Sequence, residues 1–231
     1  MTVEDGRPLP EQIYAAVRER IIAGELPPGG RLVERDLAAE LGVSRIPLRA
    51  ALPLLEADGF ITTTPRRGAV IVHLTLDDIE ELFDVREKLE PMAADLAARR
   101  LHASGIPLGR IEEIIGCSET ALTTGDEQGA ATANVAFHRE LIALPGHRLL
   151  GHLMQPLMGR LEWLFRLTAD RDISAQCAEH RGILAAIRSG NGEVAAALAF
   201  AHVASGREPS LGKLRNRLPR GISPAAGAGS R

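Results

Sequence analysis

The sequence predicts a mainly α-helical chain in two parts: short helices ending in a β-hairpin, then an all-α antiparallel bundle. Three observations lead there. Apolar residues recur at helical spacing along most of the 231 residues. β-Branched residues gather in one stretch, "FITTTPRRGAVIVH" at 60–73, and strand signals vanish after Leu74. An apolar fraction of 45% with only 3% aromatic residues fits a Leu/Ala-rich helical protein. No run of about 18 apolar residues exists, so no membrane span is expected. The acidic opening "MTVEDGRPLPEQ" lacks the apolar core of a secretion signal. Cys117 and Cys177 read as reduced thiols of a cytoplasmic protein, neither a zinc knuckle nor a disulfide framework.

The elements follow in order. "PEQIYAAVRERIIAGELPPGGRL" places Ile13, Ala16, Val17 and Ile21 on one helical face that ends at Gly24. Pro27, Pro28, Gly29 and Gly30 then force a turn. "VERDLAAELGV" is a short helix with Leu37 and Leu41 inward, closed by Gly42. Ser44 is the expected N-cap of a third helix, and the β-branched stretch after Gly59 reads as a hairpin with Arg66 and Arg67 at its tip. Three short helices and a basic-tipped hairpin make a winged helix-turn-helix over residues 1–73, whose expected partner is double-stranded DNA.

Charge alone gives this reading no support. The net charge is −3, and residues 1–72 hold nine Arg against ten Asp/Glu. Phosphate attraction must therefore come from local placement of Arg45, Arg49, Arg66 and Arg67. In "VSRIPLRAALPLLEADG", Arg45 and Arg49 are four apart and project on one side. Their guanidinium forks suit guanine O6 and N7. Leu48, Leu52 and Leu55 supply the inward face, and Pro47 falls in the first turn, where its missing N–H costs nothing. Pro53 removes a donor and crowds the carbonyl of Arg49, at about 3 kcal/mol in an unbent helix. The expectation is a recognition helix whose back half is bent and whose front, residues 44–49, is undisturbed. Four arginines with no role in a core favour nucleic acid over a protein partner or internal packing.

The run "IIAGELPPGGRLVERDLAAELGVSRIPLRAALPLLEADGFITTTPRRGAVI" resembles the winged-helix domain of GntR-family transcriptional regulators. The likeness rests on the Gly-Glu-Leu-Pro-Pro-Gly turn, the Leu-Gly-Val-Ser-Arg-x-Pro-Leu-Arg run and the Arg-Gly wing tip. It implies DNA contacts at Arg35, Ser44, Arg45, Pro47, Arg49 and Gly68. Ala50 stands where the family usually has Glu, and Pro53 and Leu54 where it has basic residues.

From Leu74 onward, helices are expected near 76–102, 107–123, 128–143, 148–169, 173–189 and 192–205, an all-α bundle. Residues 74–206 form this second domain. The closing "LRNRLPRGISPAAGAGSR" has no periodicity, so 207–231 reads as a disordered tail. Three histidines fall on apolar stripes of this bundle. His138 shares a face with Asn134 and Leu141, and His180 lies in the stripe Ile173, Cys177, Leu184, Ile187. His202 is the sole polar side chain from Val194 to Ala204. One such histidine is usually a satisfied core residue. Three on inward faces suit a divalent transition metal such as Zn²⁺, with Asn134 one turn before His138 able to add an oxygen.

Residues 75 to about 206 resemble the FCD ligand-binding domain of the FadR subgroup of GntR regulators. The motif "DIEELFDVREKLE" (Asp78–Glu90), the Asn134/Phe137/His138 group, the "EHRGILAAI" run from Glu179 and the last His202 carry the likeness. It implies a metal site of Asn134, His138, His180 and His202, with Asn in place of the family's Asp. An amide oxygen is a weaker, neutral ligand, so the metal keeps its full charge and favours a carboxylate effector. Arg86, on the inward stripe of its helix, is either a clamp for that carboxylate or one half of an ion pair with Glu90, one turn on. Together these expectations describe a metal-containing, carboxylate-responsive regulator that binds a palindromic operator as a homodimer. The alternatives are a regulator whose bundle is only a dimerisation scaffold and, remotely, a metal-dependent hydrolase. The hydrolase is disfavoured because Glu90 is the single acidic residue expected on the inward faces to act as a base.

Overall fold

A computed structural model describes residues 7–64, 68–168 and 172–221. The chain divides into two compact units, one ending at Thr75 and the other spanning Leu76–Arg220.

The first unit has α1 (Leu9–Ile22), β1 (Arg31–Leu32), α2 (Glu34–Leu41), α3 (Arg45–Ala57), β2 (Ile61–Thr64) and β3 (Gly68–Ile71). Ile13, Val17 and Ile21 of α1 meet Leu48, Ala51 and Leu55 of α3 in a core sealed by Phe60, Ile61 and Ile71. The turn between α2 and α3 depends on Gly42, whose φ of 67° is open to glycine at little cost. There the Val43 N–H donates to the Ala38 carbonyl at 3.0 Å, which closes α2 and releases the chain into α3. The hairpin register pairs Ile61 with Ile71 and Thr64 with Gly68. A third strand, absent from the sequence reading, adds Arg31 and Leu32 to the other side of β3. Two residues are too few to display a period of two.

α3 runs as one helix across Pro53 to Ala57. Pro53 is exposed, so water can reach the Arg49 carbonyl that it leaves without a helical donor. Ser44 occupies the N-cap position with extended backbone, yet its side chain makes no capping hydrogen bond. The expected cap is therefore not formed, and its hydroxyl lies exposed at the front of the helix.

The second unit is six helices: α4 (Leu76–Ser104), α5 (Gly109–Thr124), α6 (Glu127–Ala143), α7 (Arg148–Leu167), α8 (Ile173–Arg188) and α9 (Gly192–Leu214). Asp126, His147, Asp172 and Asn191 cap the last four by accepting from the backbone N–H three residues on. α4 and α9 pack along each other, with α6 and α8 also against α4. α9 continues well past residue 205, which corrects the expected start of the tail. Val203, Gly206, Ser210 and Leu214 are buried along it, and Arg207 donates to Asp84 at 2.7 Å and Glu87 at 3.2 Å on α4. Beyond the helix, the Pro219 carbonyl accepts from Leu76 N at 2.9 Å, so the second unit extends to Arg220. The remainder of the expected tail lies outside the described residues.

Candidate functional site

The bundle brings its three histidines to one point. His138 on α6, His180 on α8 and His202 on α9 are buried at 1%, 2% and 6% exposure. Their ligand-capable nitrogens all lie within 4.8 Å of one another. The Nε2 atoms of His180 and His202 are 3.2 Å apart, and those of His202 and His138 are 3.3 Å apart. Two of the rings are held from behind. His138 Nδ1 faces Glu90 Oε2 at 2.8 Å, and His202 Nδ1 faces Glu179 Oε2 at 2.7 Å. A carboxylate accepts and cannot donate, so each Nδ1 carries a proton, and in the neutral ring that leaves Nε2 as the lone pair. Phe137 stacks on His180 with centroids 3.6 Å apart, fixing the third ring.

Lone pairs facing one another at 3.3 Å in a dry core repel unless a cation lies between them. Two Zn–N bonds of 2.0–2.1 Å at a tetrahedral angle would hold their nitrogens about 3.3–3.4 Å apart, the separation found here. Asn134, one turn before His138, has a buried Oδ1 with no hydrogen-bond partner among the described residues, and such an orphan costs about 1–3 kcal/mol unless something binds it. The donor set therefore fits a divalent metal of the zinc type, with the two carboxylates orienting the imidazoles. A cavity of about 10 Å³, the scale of one water, lies between α6, α7 and α8 beside Asn134, Phe165, Thr168 and Gln176.

Arg86, at 2% exposure, points its charge at Glu90: Nε donates to Oε1 at 2.6 Å. Its terminal nitrogen also lies 3.4 Å from the His138 ring nitrogens. The ion pair raised by its sequence position is formed. Burial opposes charge on Glu90, but Arg86 and His138 outweigh it and hold the carboxyl well below the usual range. Burial pushes the His138 imidazole down to about 4, with Arg86 acting in the same direction against the pull of Glu90. At neutral pH the ring is uncharged and free to act as a ligand.

Glu179 went unnoticed as a ring-orienting group. It precedes His180 on α8, so it sits off the inward stripe, and its side chain reaches across to α9. No periodicity reveals a partner on a different helix.

The winged unit presents its candidates outward. Arg45 is exposed and forms no ion pair with any described residue. Arg49, also exposed, donates to Glu34 on α2 at 2.6 Å. Arg35 donates to its neighbour Asp36 at 2.8 Å and stays 82% exposed. Pro47 is half-buried behind Arg45. Gly68 opens β3 with a φ of 76°, a backbone position that a side chain would strain. Arg66 and Arg67 lie outside the described residues. Ile46, 82% exposed at the front of α3, was not singled out from the sequence.

An exposed third helix on a three-stranded winged unit, followed by a helical unit with a buried histidine cluster, is the architecture of a DNA-binding regulator. The chain belongs to the GntR family of bacterial regulatory proteins and carries an FCD domain: the gntR family model matches residues 9–71, and that of the FCD domain residues 81–205. It is 29% identical over 194 residues to the uncharacterized HTH-type transcriptional regulator YdhC of Bacillus subtilis (strain 168), covering 83% of this chain and 86% of that one. It is 33% identical over 131 residues to an uncharacterized HTH-type transcriptional regulator of Agrobacterium vitis, 56% of this chain and 77% of the relative. Among solved structures, a GntR-type protein from Rhodococcus sp. RHA1 superposes with a TM-score of 0.70 at 26% identity, covering 88% of this chain and 97% of that one. No described helix is long and apolar enough to cross a membrane.

Proposed function

We propose that this chain is a ligand-responsive transcriptional regulator of the cytoplasm that binds a palindromic operator as a homodimer and senses a small organic carboxylate at a zinc-type centre. The observation that carries the sensing half is the convergence of three imidazole Nε2 atoms, two of them with their Nδ1 atoms tied to carboxylates. His138, His180 and His202 would hold the metal, and Asn134 would add a neutral oxygen. When bound, the ion supplies a positive centre that can accept an anionic oxygen.

The chain's own residues set the rest. Glu90 and Glu179 hold two rings in one tautomer, and Arg86 holds Glu90. Arg86 would reach an effector carboxylate only by exchanging Glu90 for it. The adjoining cavity admits little more than a water, so an effector must part its walls on α6, α7 and α8. A ligand that prefers the parted arrangement shifts the population of the bundle, and this is the proposed origin of the response. Dimerisation follows from operator geometry, since one short helix reads too few base pairs alone. On DNA, Arg45 and Arg49 would read base edges, while Arg35, Ser44, Pro47, Gly68, Arg66 and Arg67 would position the head.

The full pairing of Arg86 with Glu90 also favours a second reading, in which the bundle only joins two heads. Metal content of chelator-free protein, followed by thermal shift with a panel of small carboxylates, separates the two. Bound metal and a ligand-dependent shift support sensing; neither metal nor any shift leaves the scaffold.

A further inference from the structure

The outward face of α3 is apolar along its centre. Ile46, Ala50, Pro53 and Ala57 recur at intervals of four, three and four, and at 3.6 residues per turn they share one line. That line lies opposite the buried Leu48, Ala51 and Leu55. All four are exposed, Ile46 at 82%, with Leu54 at 40% on one flank. Arg45 and Arg49 run along the other flank. A lone exposed isoleucine needs no account. Here it is the first member of a strip at the centre of the face that a winged helix-turn-helix offers to the major groove, edged by cations suited to a polyanion.

An apolar strip gains nothing from phosphates or from base amides and carbonyls. The apolar feature that a base pair shows in the major groove is the C5-methyl group of thymine. We propose that this strip reads pyrimidine C5-methyl groups, with Ile46 the specificity-determining contact and Ala50 clearing space beside it. The inference rests on α3 being the groove-reading helix. It gives Ala50 and Pro53 a shared consequence: neither puts a polar group on that face.

The test uses the full chain. A duplex is selected from a random-sequence pool, and each thymine of the selected site is then replaced by uracil, which deletes one methyl. At one or more positions per half-site the wild type should lose about fourfold in affinity, the worth of burying one such group. Ile46→Ser should respond less than about twofold to the same replacement, whereas Ile46→Val should keep the sensitivity and show that the serine variant's loss is not one of folding. The inference is overturned if no uracil replacement weakens the wild type, or if Ile46→Ser stays as sensitive as the wild type. A pool from which no sequence is enriched removes DNA reading by α3 and this inference with it, an outcome distinct from enrichment without methyl dependence.

Discussion

Arg45 and His138, the leading candidates of their two units, sit at opposite extremes of burial. Arg45 stands in solvent on the front of α3 with no ion pair among the described residues. His138 is 1% exposed, within hydrogen-bond reach of Glu90 and close to Arg86 and His202. A reader of nucleic acid needs charge that water can leave and phosphate can replace, so its side chains gain from being loosely held. A metal centre needs lone pairs fixed in direction before the ion arrives, so its side chains must be over-determined. On the proposed function, the first unit's stability should depend little on Arg45, whereas the second unit's should depend on His138 and the groups that hold it.

That contrast can be broken or sharpened by substitution. The largest effect expected is from Arg86→Met, which leaves Glu90 charged and uncompensated in the core. Unfolding in urea should show a loss of about 3–5 kcal/mol; a loss below about 1 kcal/mol would mean that the buried pair is not strained by separation. Arg45→Ala should weaken operator binding by about 1–3 kcal/mol and relax sequence preference, with the melting temperature unchanged. Arg49→Ala should act in the same direction but less, because Glu34 already holds part of that charge. Next comes Glu179→Gln, which should lower zinc affinity about 10–100-fold and leave DNA affinity as it was. Competition with a chromophoric chelator reads the first, and gel-shift titration the second.

A further effect concerns pH. The folded metal-free chain holds the His138 pKa at about 4, below its ordinary 6.5. Between those values the unfolded chain binds a proton that the folded chain refuses, so stability falls as pH drops from about 6.5 to 4. Glu90, also lowered, adds a further loss only below its ordinary 4.5. Denaturant midpoints measured across pH 4–7 should decline toward acid, and His138→Phe should flatten the upper part of that decline.

The two units were also legible in different ways. The head was readable as a run of local signals, Gly42 before Ser44 and the β-branched hairpin, because each element there is fixed by its own turn chemistry. Its geometry was not: the outward aim of Ile46 and the Arg49–Glu34 pair depend on how α2 meets α3. In the bundle, His138 and His180 could be placed inward by the apolar stripes they share, and His202 because its helix offers it no wet face. Glu179 could not, because it lies beside its stripe and acts across to α9. Residues 207–214 fell into the expected tail because they lead into the aperiodic Pro-, Gly-, Ser- and Ala-rich end. The α9 stripe that runs through them, Val203, Gly206, Ser210 and Leu214, buries small or isolated residues, which carry little hydrophobic signal.

Titration of metal-free full-length protein with Zn²⁺ tests the central claim most directly, followed calorimetrically beside a His180→Ala variant. The account predicts one tight site per chain, lost in the variant while the variant's affinity for DNA is kept. Absence of binding in the wild type, or equal binding in the variant, would contradict a metal centre built from these three imidazoles.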